Sequence, residues 1–180
     1  YAASLRTKTI ADAIGPAKMV SGVERFRFPE SRLRHYERLE AFPGGLLPIG
    51  DAICRFNPVF GQGMSVAAQE ARALGEVLAA ATPGDGSLAR VWRPFFQKVA
   101  ELVEAPWALA VVPDFVFPRT VGERPADIEA SLRFGAALTR AMARHADVHK
   151  LAGEVQHLIR PRRALMQPGV LEKILSEMTG

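Results

Sequence analysis

A carboxylate, a stiff loop and several glycines crowd into one stretch of this chain of 180 residues. Leu47-Pro48-Ile49 leads into Gly50-Asp51-Ala52, and Asn57-Pro58-Val59-Phe60-Gly61-Gln62-Gly63-Met64-Ser65 follows. Gly50 lets the backbone turn sharply where a short apolar strand would end. Asp51 then presents an acceptor-only carboxylate, suited to the hydroxyls of a sugar-like chain. Pro58 stiffens the loop and removes one donor. Gly61 and Gly63 let a ligand ring approach the backbone with no Cβ in the way. A helix starting there leaves the amides of Gly63, Met64 and Ser65 without intrahelical partners. Its partial positive charge favours an anionic ligand edge. Strand end, loop and helix N-terminus can thus hold a polyhydroxylated, electron-poor ligand.

The elements that must position these groups follow from the flanking pattern. Met64, Ala67, Ala71, Leu74 and Leu78 fall at helical spacing, with Gln69, Arg72 and Glu76 on the other side. The helix would be about 27 Å long at roughly 1.5 Å per residue. Thr82-Pro83-Gly84-Asp85-Gly86 is its expected stop. Upstream, residues 4–14 read as a short helix with Ser4 as N-cap and Gly15-Pro16 as its end. Residues 23–28 read as a strand closed by Pro29, and residues 32–39 leave helix and strand open, with strand favoured. After a Pro43-Gly44-Gly45 turn, residues 46–49 make a short buried strand. All the expected strands precede Asp51.

Downstream, Leu88, Val91, Trp92, Phe95, Val99 and Leu102 form a second helical stripe, which Pro94 should kink. Residues 105–117 are apolar and interrupted by Pro106 and Pro113, and they read as short helix plus loop. Residues 127–144 and 147–159 read as two helices. Pro168 opens a last one, along which Val170, Leu171, Ile174, Leu175 and Met178 form a stripe. The expected fold is mainly α with a short β-containing N-terminal part. Residues 1–50 are the β-containing lead-in, 51–82 the Gly-Asp loop and its helix, and 83–180 a helical region.

Composition limits the function classes. With 48% hydrophobic and 23% charged residues the chain can bury a core of useful size. The net charge is +4 and the pI about 9.6, but the basic residues are scattered apart from Arg160, Arg162 and Arg163. A nucleic-acid footprint needs a concentrated stripe, so nucleic acid is not an expected partner. The chain has no apolar run long enough to span a membrane, although residues 106–117 could rest at a membrane interface or cover another domain. The single Cys54 cannot form an intrachain disulfide and fits a reducing compartment, the cytoplasm.

Other reactive side chains read as structural. Cys54 is expected to pack as a small hydrophobe, and Arg55 to form an ion pair. His145 and His149 lie four apart, with His157 beyond. No carboxylate-plus-histidine signature accompanies them, so a solvated helix face is expected and no metal site. His35 and Tyr36 are expected in strand packing. Trp92, Phe95, Phe96 and Trp107 are expected in the core.

The loop chemistry is what a flavin requires: a carboxylate for the ribityl chain and a helix N-terminus for the pyrimidine edge. The stretch resembles the second FAD-binding motif of the aromatic-hydroxylase-like flavoprotein monooxygenases, related to 2-polyprenyl-6-methoxyphenol hydroxylase. That pattern is roughly Gly-Asp-Ala-Ala-His, three residues, Pro, two residues, Gly-x-Gly and a helix. Gly50-Asp51-Ala52, Pro58, Gly61-Gln62-Gly63 and Met64-Ser65 fall in step with it, while Cys54 stands where the family usually has His. Phe28-Pro29 and Arg34-His35-Tyr36-Glu37-Arg38 resemble the end of a substrate domain in one bacterial branch.

The resemblance implies cofactor-binding roles for Gly50, Asp51, Pro58, Gly61, Gly63, Met64 and Ser65, and assigns no catalytic residue. The family's other motif, Gly-x-Gly-x-x-Gly after a strand, binds the ADP half of FAD and is absent from this sequence. The chain, which starts at Tyr1, therefore reads as the C-terminal portion of an α/β FAD-binding flavoprotein lacking its N-terminal dinucleotide-binding βαβ unit. By resemblance, NAD(P)H reduces the flavin and one oxygen atom reaches a small apolar or aromatic substrate. The rival reading is a stable helical fragment or interaction module with no cofactor and no activity of its own.

Overall fold

The computed structural model describes residues 1–82, 84 and 86–178. Pro83 and Asp85, from the expected helix stop, lie outside the described residues, as does the side chain of Leu88. The chain is mainly helical, with one small sheet among the described residues.

The helix expected over residues 4–14 is split. A 3-10 turn spans Ala2–Ser4, and α1 spans Thr9–Ile14. Ser4 is not an N-cap: its Oγ donates back to the Tyr1 carbonyl at 2.8 Å. Lys8 Nζ donates to the Ala3 and Leu5 carbonyls at 2.6 and 3.1 Å. Those local bonds compete with the ladder a continuous helix would need. α1 does end at Gly15, as expected.

The strands differ more from expectation. Residues 23–28 form no strand, and Val23 and Phe26 are exposed. A lone strand with no ladder partner cannot satisfy its backbone. β1 (Arg32–Leu33) pairs antiparallel with β2 (Cys54–Arg55), setting Arg32 opposite Arg55 and Leu33 opposite Cys54. So β2 follows Asp51, which corrects the expectation that every strand precedes it. Tyr36–Arg38 is a 3-10 turn, not strand. Residues 46–49 are not a buried strand: Leu46 and Ile49 are exposed, and Leu47 packs on the core.

α2 (Gly63–Ala79) starts where the glycine-rich loop predicts and packs on α3 (Trp92–Val111). Its buried face is Val66, Glu70, Ala73 and Val77. The expected stripe lies only partly on the core: Leu74 packs against it, while Met64 is 87% exposed and Leu78 is exposed. An alanine-rich helix offers two apolar faces, and packing selects the one that meets α3. From α3, Trp92, Phe95, Phe96 and Val99 are buried, as predicted, while Val103 is buried and the expected Leu102 only half-buried. Phe96 lies 5.1 Å from the Tyr36 ring and 4.9 Å from that of Phe42, so this core also anchors the segment before the Gly-Asp turn.

Neither proline acts as expected. Pro94 is the third residue of α3, in the first turn, where its missing N–H leaves no bond unmade. Pro106 is buried inside α3, and the helix runs through it to Val111. A 3-10 turn then spans Val112–Val116. Long helix and 3-10 turn replace the predicted short helix plus loop.

α4 (Ile128–Arg144), α5 (Ala146–Gln156) and α6 (Pro168–Ser176) follow the predicted pattern, α5 ending three residues early. Leu158, just past α5, takes a φ of 60°. Ala137, Ala141, Val148 and Ile174 make a second core cluster. Arg144 reaches both carboxylate oxygens of buried Glu177 at 2.8 Å, tying α4 to the end of α6. No helix among the described residues is long and apolar enough to cross a membrane.

Candidate functional site: the Gly-Asp turn and the start of α2

The Gly-Asp segment forms one turn of 3-10 helix, Gly50–Ala52, after an extended Ile49. Gly50 has a φ of 61°, a conformation that favours glycine. The turn closes through Ile53 N–H donating to the Gly50 carbonyl at 2.8 Å. From the other side, Arg34 Nη1 donates to the Ala52 carbonyl at 3.2 Å, and Tyr36 O–H to the same oxygen at 3.4 Å. Arg34 N–H also donates to the Ile53 carbonyl at 2.9 Å. The family-like residues Arg34 and Tyr36 therefore act on the backbone of the turn.

The turn is fastened to α2 by a residue the sequence pattern did not single out. Glu70, 0% exposed, accepts the Gly50 N–H through Oε2 at 2.5 Å. Its Oε1 is buried with no partner. Burial raises the Glu70 pKa, the Gly50 N–H opposes that rise, and the Asp51 charge adds to it. One signal could have found it. Glu70 lies four residues after Val66 and three before Ala73, so the carboxylate belongs to an otherwise apolar face.

Asp51 itself is exposed beyond this joint. Its charge is felt by Cys54, whose thiol is pushed up to about 12 by burial first, then by Glu70 and Asp51. Cys54 is buried, as a packing residue should be. Arg55 is a structural ion pair, as expected: its Nη2 lies 3.7 Å from Glu30, and its guanidinium sits 5.4 Å from the Phe28 ring centroid.

Past β2, Asn57 caps a 3-10 turn, Pro58–Phe60, by accepting the Val59 N–H at 3.1 Å. Gly61 follows with a φ of 67°. α2 has no side-chain N-cap, and its first backbone bond is Val66 N–H to the Gln62 carbonyl at 2.9 Å. The amides of Gly63, Met64 and Ser65 thus precede the ladder, and all three residues are exposed. A Cβ at Gly61 or Gly63 would meet nothing within 4 Å, so open space lies beside both.

The structure therefore places Gly50 against α2, Asp51 on the open face of the same turn, Pro58 and Gly61 in the connecting loop, and Gly63, Met64 and Ser65 in the first helical turn. These features fit the ribityl and pyrimidine half of FAD: an exposed acceptor, unpaired amides at a positive helix end, and glycines with clear space. His149 is exposed and His145 half-buried at the start of α5. His145 is the N-cap of α5 while His149 lies within it, and among the described residues no three metal-ligating side chains gather.

The sequence model of the FAD binding domain family matches residues 6–91. That span holds the whole Gly-Asp turn, the loop, α2 and the lead-in before them. The chain is also similar to Protein Rv3254 of Mycobacterium tuberculosis (strain ATCC 25618 / H37Rv), 38% identical over 82 residues. The similarity covers 41% of this chain and 17% of that protein. The matched stretch thus spans about one sixth of that relative's length.

Proposed function

We propose, from the match of residues 6–91 to the FAD binding domain family, that this chain is the C-terminal part of an FAD-dependent oxidoreductase. The finer reading is a monooxygenase acting on an apolar or aromatic substrate, with NAD(P)H as the reductant. One observation carries the flavin reading. The start of α2 is uncapped, with its free amides exposed, next to a loop that carries open glycines.

Bound FAD supplies the electron transfer. The residues of this chain bind and orient it. Asp51 accepts a hydrogen bond from a ribityl hydroxyl. The amides of Gly63, Met64 and Ser65 donate to the pyrimidine edge, and the helix dipole stabilises negative charge there. Glu70 keeps Gly50 seated on α2, and Arg34 and Tyr36 hold the Ala52 carbonyl, so Asp51 is presented by a turn fixed from two sides.

The test compares riboflavin, FMN and FAD by quenching of flavin fluorescence on the chain itself. The contacts named here reach the ring and ribityl chain, which all three ligands share. Their affinities should agree within about threefold, and Asp51→Ala should weaken all three by about tenfold, the worth of one hydrogen bond in a partly wet site. No binding at millimolar flavin would leave the chain a helical interaction module. An unchanged affinity in Asp51→Ala would remove Asp51 from the site.

A further inference from the structure

One concavity of the molecule is largely apolar. It is a cleft of about 570 Å³ between α3, α4 and α5, walled by Leu109, Val112, Leu132, Leu138, Met142 and Leu165. That volume falls among the pockets that hold small organic molecules. Its wall includes one polar group of unusual standing. Gln62 is 3% exposed and lines the cleft, and its Nε2 donates to the Gln156 carbonyl at 2.6 Å. A backbone carbonyl only accepts, so the amide orientation is set and Oε1 is the other atom. Oε1 is buried with no partner.

A buried acceptor without a donor is uncommon in native structures and signals a missing group. Among the residues that line the cleft, Thr139 Oγ1 donates to the Gly135 carbonyl at 3.0 Å, and Gln156 and Arg162 are further polar residues. An apolar side chain from a protein partner would fill the space and leave Oε1 unpaired. Leu158 also borders the cleft and holds a left-handed φ of 60°, the kind of backbone strain that gathers at ligand sites.

We propose that this cleft binds a lipophilic small molecule carrying a hydroxyl, whose O–H donates to Gln62 Oε1 while its apolar body lies between α3 and α4. The site does not depend on flavin. It nevertheless shares Gln62 with the loop, since that residue stands between Gly61 and Gly63 and is the N-cap of α2. An occupant of the cleft therefore touches the residue from which the flavin-facing helix starts.

The probes are 4-octylphenol and 4-octylanisole, alike except that the methyl ether has no donor. Calorimetric titration of the intact chain should show one molecule of the phenol bound, about tenfold tighter than the anisole. Gln62→Leu should bring the two within about twofold. Gly135→Leu is the second variant. Gly135 lines the cleft, and a Cβ there meets nothing within 4 Å, so leucine fills the cleft while favouring helix. It should abolish binding of both probes without lowering the melting temperature. Equal affinities for phenol and anisole would overturn the proposal. So would no binding up to the solubility limit, or Gly135→Leu binding the phenol like the parent chain.

Discussion

Replacing Glu70 probes the joint that seats the Gly-Asp turn on α2. Gln and Ala are the informative substitutions. Glu70→Gln keeps the length and an acceptor oxygen for the Gly50 N–H. Glu70→Ala removes that acceptor and leaves a void on a buried face. An unsatisfied buried N–H costs about 1–3 kcal/mol, and a lost buried methylene adds about 0.8 kcal/mol. Ala should therefore be less stable than Gln by about 2–4 kcal/mol, and this gap should hold across pH because neither residue titrates. The comparison with the parent chain should depend on pH. Burial and Asp51 raise the Glu70 pKa in the folded state. The folded state then binds more protons than the unfolded one between the two pKa values, so stability falls as pH rises through that window. It is fully present below the unfolded carboxyl pKa and lost above the raised folded one. Glu70→Gln has no such slope, so its stability relative to the parent should increase from pH 4 to pH 8. Urea denaturation followed by tryptophan fluorescence measures both quantities. Equal stability of the Ala and Gln variants would mean that the bond to Gly50 contributes nothing. A parent chain that gains on Gln as pH rises would show that the sign is wrong.

Two further outcomes test the same region. Cys54, buried and with its thiol pushed up to about 12, should resist a disulfide reagent at pH 8 and react on addition of denaturant; rapid labelling of the folded chain would contradict its packing role. Gly63→Ala should raise stability by about 0.5–1 kcal/mol, since its φ is ordinary and the added Cβ meets nothing. It should also weaken flavin binding by crowding the ring, and a variant that binds flavin as tightly as the parent would move the ring away from Gly63.

The local backbone geometry of the Gly-Asp stretch was legible. Gly50, Asp51, Pro58, Gly61 and the amides of Gly63, Met64 and Ser65 are specified by turn chemistry and by a helix start, which depend on neighbours in the chain. The helices after residue 127 were legible for the same reason, because each repeats an apolar pattern at helical spacing. The two strands expected over residues 23–28 and 46–49 were not formed, and β2 was missed. A two-residue strand is defined by its partner, and Cys54 finds Leu33 across a separation that no local pattern encodes. Pro106 misled for a related reason, since it is fully buried inside α3, which runs on through it.

Local chemistry, then, determined from sequence alone where the Gly-Asp stretch turns and where α2 begins. The tertiary structure decided which face of α2 is buried, because Met64, Ala71 and Leu78 form as regular a stripe as Val66, Ala73 and Val77, and only contact with α3 separates them. That choice buried Glu70 under Gly50 and left Gly63, Met64 and Ser65 exposed. The same packing brought Gln62 to the Gln156 carbonyl, 94 positions away in the chain. Periodicity reports that a helix has an apolar face; the free energy of removing it from water is set by what lies opposite, and that is known only when the chain has folded.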